Sequence, residues 1–166
     1  GCGPVGPAWK PTTSTLLAVR EALVSRKPPL SANDHTVGNA KAAIQVVEYG
    51  DYQCPYCGDA YPVTQELVRR YGDKIAFAFR NFPLVEAHPE AFNAAIVAEF
   101  AASLGQFWPA HDALYENQDA LGPELYGQIV ASLGQSAEQF QTAVDAGELA
   151  ARVRQLARID GLSIIH

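Results

Sequence analysis

Methionine is absent from this sequence of 166 residues, and cysteine is scarce, with three copies. Three cysteines do not make a disulfide-dense scaffold, so an apolar core has to hold the fold together. Basic residues are also few: 12 Lys and Arg stand against 18 Asp and Glu, for a formal charge of −6. That balance argues against a phosphate-backbone binder, and no nucleic-acid partner is expected. No apolar run reaches the roughly 18 residues that mark a membrane-spanning helix, so no transmembrane segment is expected. No basic segment precedes an apolar run as in a signal peptide. With no initiator Met, the sequence reads as a processed or excised form, and the missing signal does not argue for the cytosol. Internal repeats and low-complexity tracts are missing too. What is plentiful is apolar surface, 48% of the residues. That suffices for one compact domain, with room for an insertion.

Punctuation by Gly and Pro divides the chain. Residues 1–32 form an N-terminal extension in which a Gly/Pro-rich lead-in precedes a short helix over 15–25, stopped by Pro28 and Pro29. The polar segment 30–43 reads as a connector with little regular structure. Ile44–Tyr49 is short, β-branched and apolar, the pattern of a buried strand. A helix follows from Pro55 to Tyr71, with Val63, Leu67 and Val68 on one side and a kink expected at Pro62. Ile75–Arg80 is a second strand. Strand, helix and strand with this spacing predict a parallel βαβ unit over 33–87. Residues 88–160 read as all helix, with helices near 89–104, 107–117, 123–133, 136–146 and 148–159. In the first of these, Ala94, Val97, Ala98, Ala101 and Leu104 make an apolar stripe that reads as core. Residues 161–166 look like the start of a further strand. The fold class is therefore α/β.

The residues that carry chemistry are Cys54-Pro55-Tyr56-Cys57. They follow a strand and open a helix. Two Cys three positions apart share one face of a helical turn and can close a small disulfide ring. Cys54 falls at the helix N-terminus, where free N–H groups and the positive end of the helix dipole favour a thiolate. Pro55 falls at the first helical position, where its missing N–H costs nothing. Cys57 lies one turn in and is expected to be less exposed and to resolve a mixed disulfide on Cys54. Two other readings share this spacing: half of a zinc site, with ligands still to be found among Cys2, His35, His88, His111 and His166, and an inert structural disulfide. His88 and His111 otherwise read as capping or packing residues, and Phe107 and Trp108 as packing between two lobes. Arg80 reads equally as the partner of a carboxylate and as a solvated charge.

The run Val46–Cys57 resembles the active-site segment of DsbA-like thiol–disulfide oxidoreductases. Phe79–Leu84 is similar to their second strand and its exit, and His88–Ala91 and Phe107–Tyr115 are similar to the start of their inserted helical domain. The match spans about residues 33–161. The resemblance implies a thioredoxin-like fold interrupted by an all-helical insertion over 88–160, and a bacterial-type, periplasmic or otherwise extracytoplasmic role in making or reshuffling disulfides. It implies protein or peptide thiol and disulfide substrates and a redox partner protein. No metal or organic cofactor is implied, because the cysteine pair is the redox group. In the family an acidic residue six positions before the first Cys sits beneath the pair, which implies a proton-relay role for Glu48. The other reading of Glu48 is a solvated strand-edge charge. Asp51 and Tyr52 are expected to shape the rim of the site, or to act only in the loop. Tyr56, between the cysteines, is expected to tune the couple.

The family's next motif is a loop with a cis proline, followed by closing strands and a last helix. No residue up to His166 matches it, so those elements read as missing, and a two-stranded remnant with an open edge is expected. A longer parent chain, a second copy, or residues 1–27 acting as a permuted closing turn and helix would each supply them. Cys2, in a Gly-Cys start, reads as a lipid-anchor site or as a free thiol. The alternative function is a thioredoxin-fold protein that binds clients or partners without catalysis.

Overall fold

The computed structural model describes residues 30–158. The expected helix over 15–25, Cys2, and the segment beyond Arg158 lie outside the described residues. Three strands form one mixed sheet in the order β1-β3-β2: β1 is His35–Gly38, β2 Ile44–Gly50 and β3 Ile75–Asn81. The β2 and β3 strands are parallel, with Gly50 beside Asn81. The helix between them, α1, spans Pro55–Tyr71. This is the βαβ unit that the sequence pattern predicts.

The sheet departs from expectation at β1. Residues 35–38 were predicted as part of a connector, yet they pair antiparallel with β3 from His35↔Phe79 to Gly38↔Ala76. The local sequence His-Thr-Val-Gly is too short to announce a strand. Its partner, β3, is buried along its whole length and needs ladder partners on both sides. Among the described residues the sheet is therefore three-stranded, not the expected two-stranded remnant, and β3 is its centre.

Helices fill the rest of the chain: α2 Ala91–Ser103, α3 Phe107–Glu116, a 3-10 turn Gln118–Ala120, α4 Pro123–Ser132, α5 Ala137–Asp145 and α6 Glu148–Arg158. Ser136 caps α5 through a reciprocal capping box with Gln139. The expected apolar stripe of α2 is wider than predicted. Ala91 and Ala94 through Ala101 are all buried, so this helix is covered on nearly every side, while Leu104 reaches solvent.

The core lies where α2 and α3 meet β3. Phe107 and Trp108 pack between the helices and the sheet, as expected: Phe107 stacks on His35 at 3.7 Å, and Trp108 meets Phe77 at 6.1 Å between ring centres. The α1 helix is less deeply set. Cys57, Tyr61, Leu67 and Val68 rest against the core, but Val63 is 68% exposed. The expected inner face was misplaced there. The residues that turn inward follow the spacing 57, 61, 64, 68, and Val63 stands about 200° around the helix from Tyr61.

Candidate functional site

At the end of β2 the chain turns through Asp51–Gln53 into α1. The turn closes with Cys54 N–H donating to the Asp51 carbonyl at 3.1 Å. Cys54 is the N-cap of α1, with extended backbone at φ −72° and ψ 122°, and Pro55 starts the helix. No side chain caps the first turn and no acidic residue lies in it. The positive end of the helix is therefore uncompensated next to Cys54. Cys57 follows one turn later. Both cysteines are free and partly exposed, and Tyr56 between them is 83% exposed.

Four side chains fasten this turn to the rest of the molecule. The Asp51 carboxylate is buried; it accepts from Gln53 N–H through one oxygen, and from Leu84 N–H and His88 Nδ1 through the other, each at 2.8 Å. The Tyr52 ring is fully buried among Phe79, His111 and Tyr115, and its hydroxyl lies 3.0 Å from His111 Nδ1. Gln53 Oε1 accepts from Glu90 N–H at 2.7 Å, just before α2. Gln118 Nε2 donates to the carbonyls of Tyr52 at 2.7 Å and Cys54 at 2.9 Å. Asp51 and Tyr52, expected to shape the rim of the site or to act only in the loop, are both buried and hold the turn from within. His88 is thus a hydrogen-bond partner of Asp51 and His111 a packing residue; burial pushes His111 down to about 3, so it is neutral in the fold. Arg80 proves to be a carboxylate partner. It is buried, forks onto Asp34 with bonds of 2.6 and 2.9 Å, and donates to the Tyr49 hydroxyl.

The glycine before Asp51 is required by space. A Cβ on Gly50 would lie 2.1 Å from Phe79 Cε2 and 2.8 Å from the Tyr115 hydroxyl. That hydroxyl is buried and finds no hydrogen-bond partner among the described residues. Burial first, then the charges of Tyr52, Cys57, Glu48 and Asp51, keep it protonated.

Two groups at the site have displaced ionisation. Burial pushes the Cys57 thiol up to about 11; the neighbouring Cys54 and the charge of Glu48 add to this, and a backbone hydrogen bond from Asp51 opposes it. Burial pushes Glu48 up to about 6. Glu48 is thus a partly buried carboxyl whose charge is felt at Cys57, in place of a freely solvated strand-edge group. Among the described residues no three His, Cys, Asp or Glu side chains converge as metal ligands.

Sequence reasoning does not single out Gln118, which is 64 positions from Cys54 and carries no local motif. It also passes over Glu99, although a lone carboxylate in the apolar run of α2 is a usable signal: a buried charge requires partners. Glu99 is buried and accepts from His35 Nε2 at 2.8 Å, from Asn81 Nδ2 at 2.7 Å and from Arg152.

The thioredoxin family profile matches residues 30–159. Among curated proteins, a Na(+)/H(+) antiporter, NhaA 3 of Salinispora tropica, is 41% identical over 109 residues, which is 65% of this chain and 17% of that protein. The chain therefore spans about a fifth or less of that relative's length. Among solved structures, oxidised BdbD from Bacillus subtilis is similar at 25% identity and a TM-score of 0.66, over 83% of this chain and 80% of that one. The thiol-disulfide exchange protein alpha-DsbA2 from Wolbachia pipientis shares the fold at 18% identity and a TM-score of 0.67, over 90% of this chain and 79% of that one.

Proposed function

This chain belongs to the thioredoxin family as a DsbA-like member, and on that basis we propose that it exchanges disulfides with protein substrates through Cys54. The observation that carries the reading is the unequal setting of the two sulfurs. Cys54 is the N-cap residue of a helix start that no side-chain cap or acidic group compensates, whereas Cys57 is held protonated by burial.

In the oxidising direction, a substrate thiolate attacks Cys54 Sγ of the Cys54–Cys57 disulfide. The ring S–S bond breaks, its electron pair passes to Cys57, and a substrate–Cys54 disulfide forms. Cys57 takes up a proton, and Glu48, whose charge acts on Cys57 and whose own carboxyl is raised to about 6, is the acid proposed to supply it. A second substrate thiolate then attacks the substrate sulfur and expels Cys54 as thiolate. The substrate dithiol loses two electrons and two protons; the cysteine pair gains both electrons and, at Cys57, one proton, while the other proton passes to solvent and Cys54 is left as thiolate. A redox partner protein restores the ring by the reverse steps, and reduction of a substrate disulfide is the same path run backwards. The cysteine pair is the redox group, so the reaction calls on no further cofactor. Such chemistry belongs where disulfides persist, outside the cytoplasm.

The antiporter name belongs to a protein of which this chain matches 17%. No helix among the described residues is long and apolar enough to cross a membrane. The reading offered for the chain is therefore the thiol chemistry of its own site.

The test is oxidation of a reduced dithiol peptide, or reduction of insulin, by wild type, Cys54→Ser and Cys57→Ser. Loss of Cys54 is expected to abolish exchange. Loss of Cys57 is expected to accumulate a mixed disulfide on Cys54 that mass spectrometry detects. Equal rates in wild type and Cys54→Ser would refute the mechanism. Capture of unfolded clients that survives removal of both cysteines, without exchange by wild type, would favour a binding protein instead.

A further inference from the structure

Gln118 lies in the 3-10 turn after α3, yet its side chain reaches the cysteine turn. Its Nε2 sits between two backbone carbonyls, 2.7 Å from Tyr52 O and 2.9 Å from Cys54 O. The Cys54 carbonyl also accepts the first helical bond, from Gly58 N–H at 3.0 Å. Room for the carboxamide exists because residue 58 is glycine. A Cβ there would lie 2.3 Å from Gln118 Oε1. Gly58 is helical and is not among the glycines with positive φ, so space, not conformation, calls for glycine here.

The two carbonyls flank the residue that bears the exposed sulfur. Their oxygens are negative ends of dipoles, which disfavour an anion beside them. Donation from one carboxamide to both offsets that charge and holds the carbonyls turned toward Gln118. It also holds Cys54 in its extended N-cap conformation at the start of α1.

We infer that Gln118 is a positioning residue for disulfide exchange, fixing the Tyr52–Cys54 turn so that the Cys54 sulfur stays at the helix N-terminus. The inference rests on the reading of Cys54 and Cys57 as the redox pair, and it assigns part of the active-site geometry to the helical segment. Gln118→Met keeps the volume and removes the donor. Gly58→Ala leaves Gln118 intact, displaces its carboxamide, and improves helix propensity.

Three measurements on the full chain decide it: the rate of Cys54 alkylation by iodoacetamide in the reduced protein across pH, the thiol–disulfide equilibrium against glutathione, and the thermal midpoint. Gln118→Met is expected to slow Cys54 alkylation at neutral pH about fivefold and to move its pH profile to higher pH. It is expected to shift the glutathione equilibrium toward the oxidised protein by a similar factor, about fivefold, because the reduced form loses stabilisation of its thiolate. Gly58→Ala should reproduce both effects without a lower thermal midpoint. Gly58→Ala combined with Gln118→Ala should be no worse than Gln118→Ala alone, since the clash is then gone. The inference is overturned if Gln118→Met alkylates and equilibrates like wild type, whatever happens to its melting, or if the two substitutions simply add. Failure of wild type to exchange disulfides, with Cys54 alkylation still dependent on position 118, would refute the proposed function and with it the role in exchange, leaving only Gln118's hold on the Cys54 turn.

Discussion

At the scale of single residues, Glu48 offers the clearest pH signature. Burial raises its carboxyl from the ordinary 4.5 to about 6. A carboxyl raised by folding penalises the folded state once it ionises. The penalty is absent below 4.5, grows between 4.5 and 6, and is fully present above. Glu48→Gln should therefore be more stable than wild type at neutral pH by roughly 1 kcal/mol, a figure discounted for the group's partial contact with water. The gain should vanish on acidification to 4.5, as followed by thermal or urea unfolding. In the proposed mechanism the same substitution removes the acid that serves Cys57, so turnover is expected to fall about tenfold and to lose its inflection near pH 6. A variant that keeps both rate and inflection would assign the titration to another group. Glu48, Cys54 and Cys57 were legible because strand, turn and helix place them within ten consecutive positions. Gln118 was not, since its role exists only after α3 has been laid beside α1.

At the scale of the element, the end of β2 shows how tightly the turn is built. Gly50 faces Phe79 and the Tyr115 hydroxyl with no space for a methyl group. Phe79 is fully buried and Tyr115 nearly so, and neither can move without displacing Tyr52, which touches both. Gly50→Ala should destabilise the protein by about 1–3 kcal/mol through overpacking, read as a lower denaturation midpoint in urea at unchanged slope. A midpoint equal to wild type would mean that the rings yield freely and that Tyr52 is not clamped. The βαβ unit and the helices were legible as elements because periodicity and Gly/Pro punctuation are local signals. The β1 strand was not legible. Its four residues gain their structure from pairing with β3, and its His35 from stacking on Phe107 and bonding to Glu99. Asp51 and Tyr52 were legible as residues that shape the turn, but their burial was not, because a loop sequence does not reveal that later segments will cover it.

At the scale of the whole molecule, the buried carboxylate of Glu99 joins segments that are far apart in the chain. It binds His35 of β1, Asn81 of β3 and Arg152 of α6, and Arg152 also donates to the Asn33 carbonyl at 2.7 Å. Sheet and helical segment are thus tied through one group on α2. Burial alone would raise the Glu99 carboxyl, but hydrogen bonds and charge from His35 and Arg152 outweigh it and hold the group below its ordinary 4.5. A carboxyl lowered by folding contributes stability that is fully present above 4.5 and is lost as pH falls through the lower folded value. Glu99→Gln keeps the shape and removes the charge, leaving Arg152 and His35 without a carboxylate partner. It should cost roughly 2–4 kcal/mol at neutral pH. The difference from wild type should narrow as the solution is acidified below 4.5, because wild type then loses the same charge. Urea unfolding at neutral and acid pH checks both statements. A constant difference across that range would mean that Glu99 acts through packing alone. Because Asn81 lies beside Gly50 in the sheet register, loosening this tie should also reach the cysteine turn, and Glu99→Gln should exchange disulfides more slowly than its loss of folded protein accounts for.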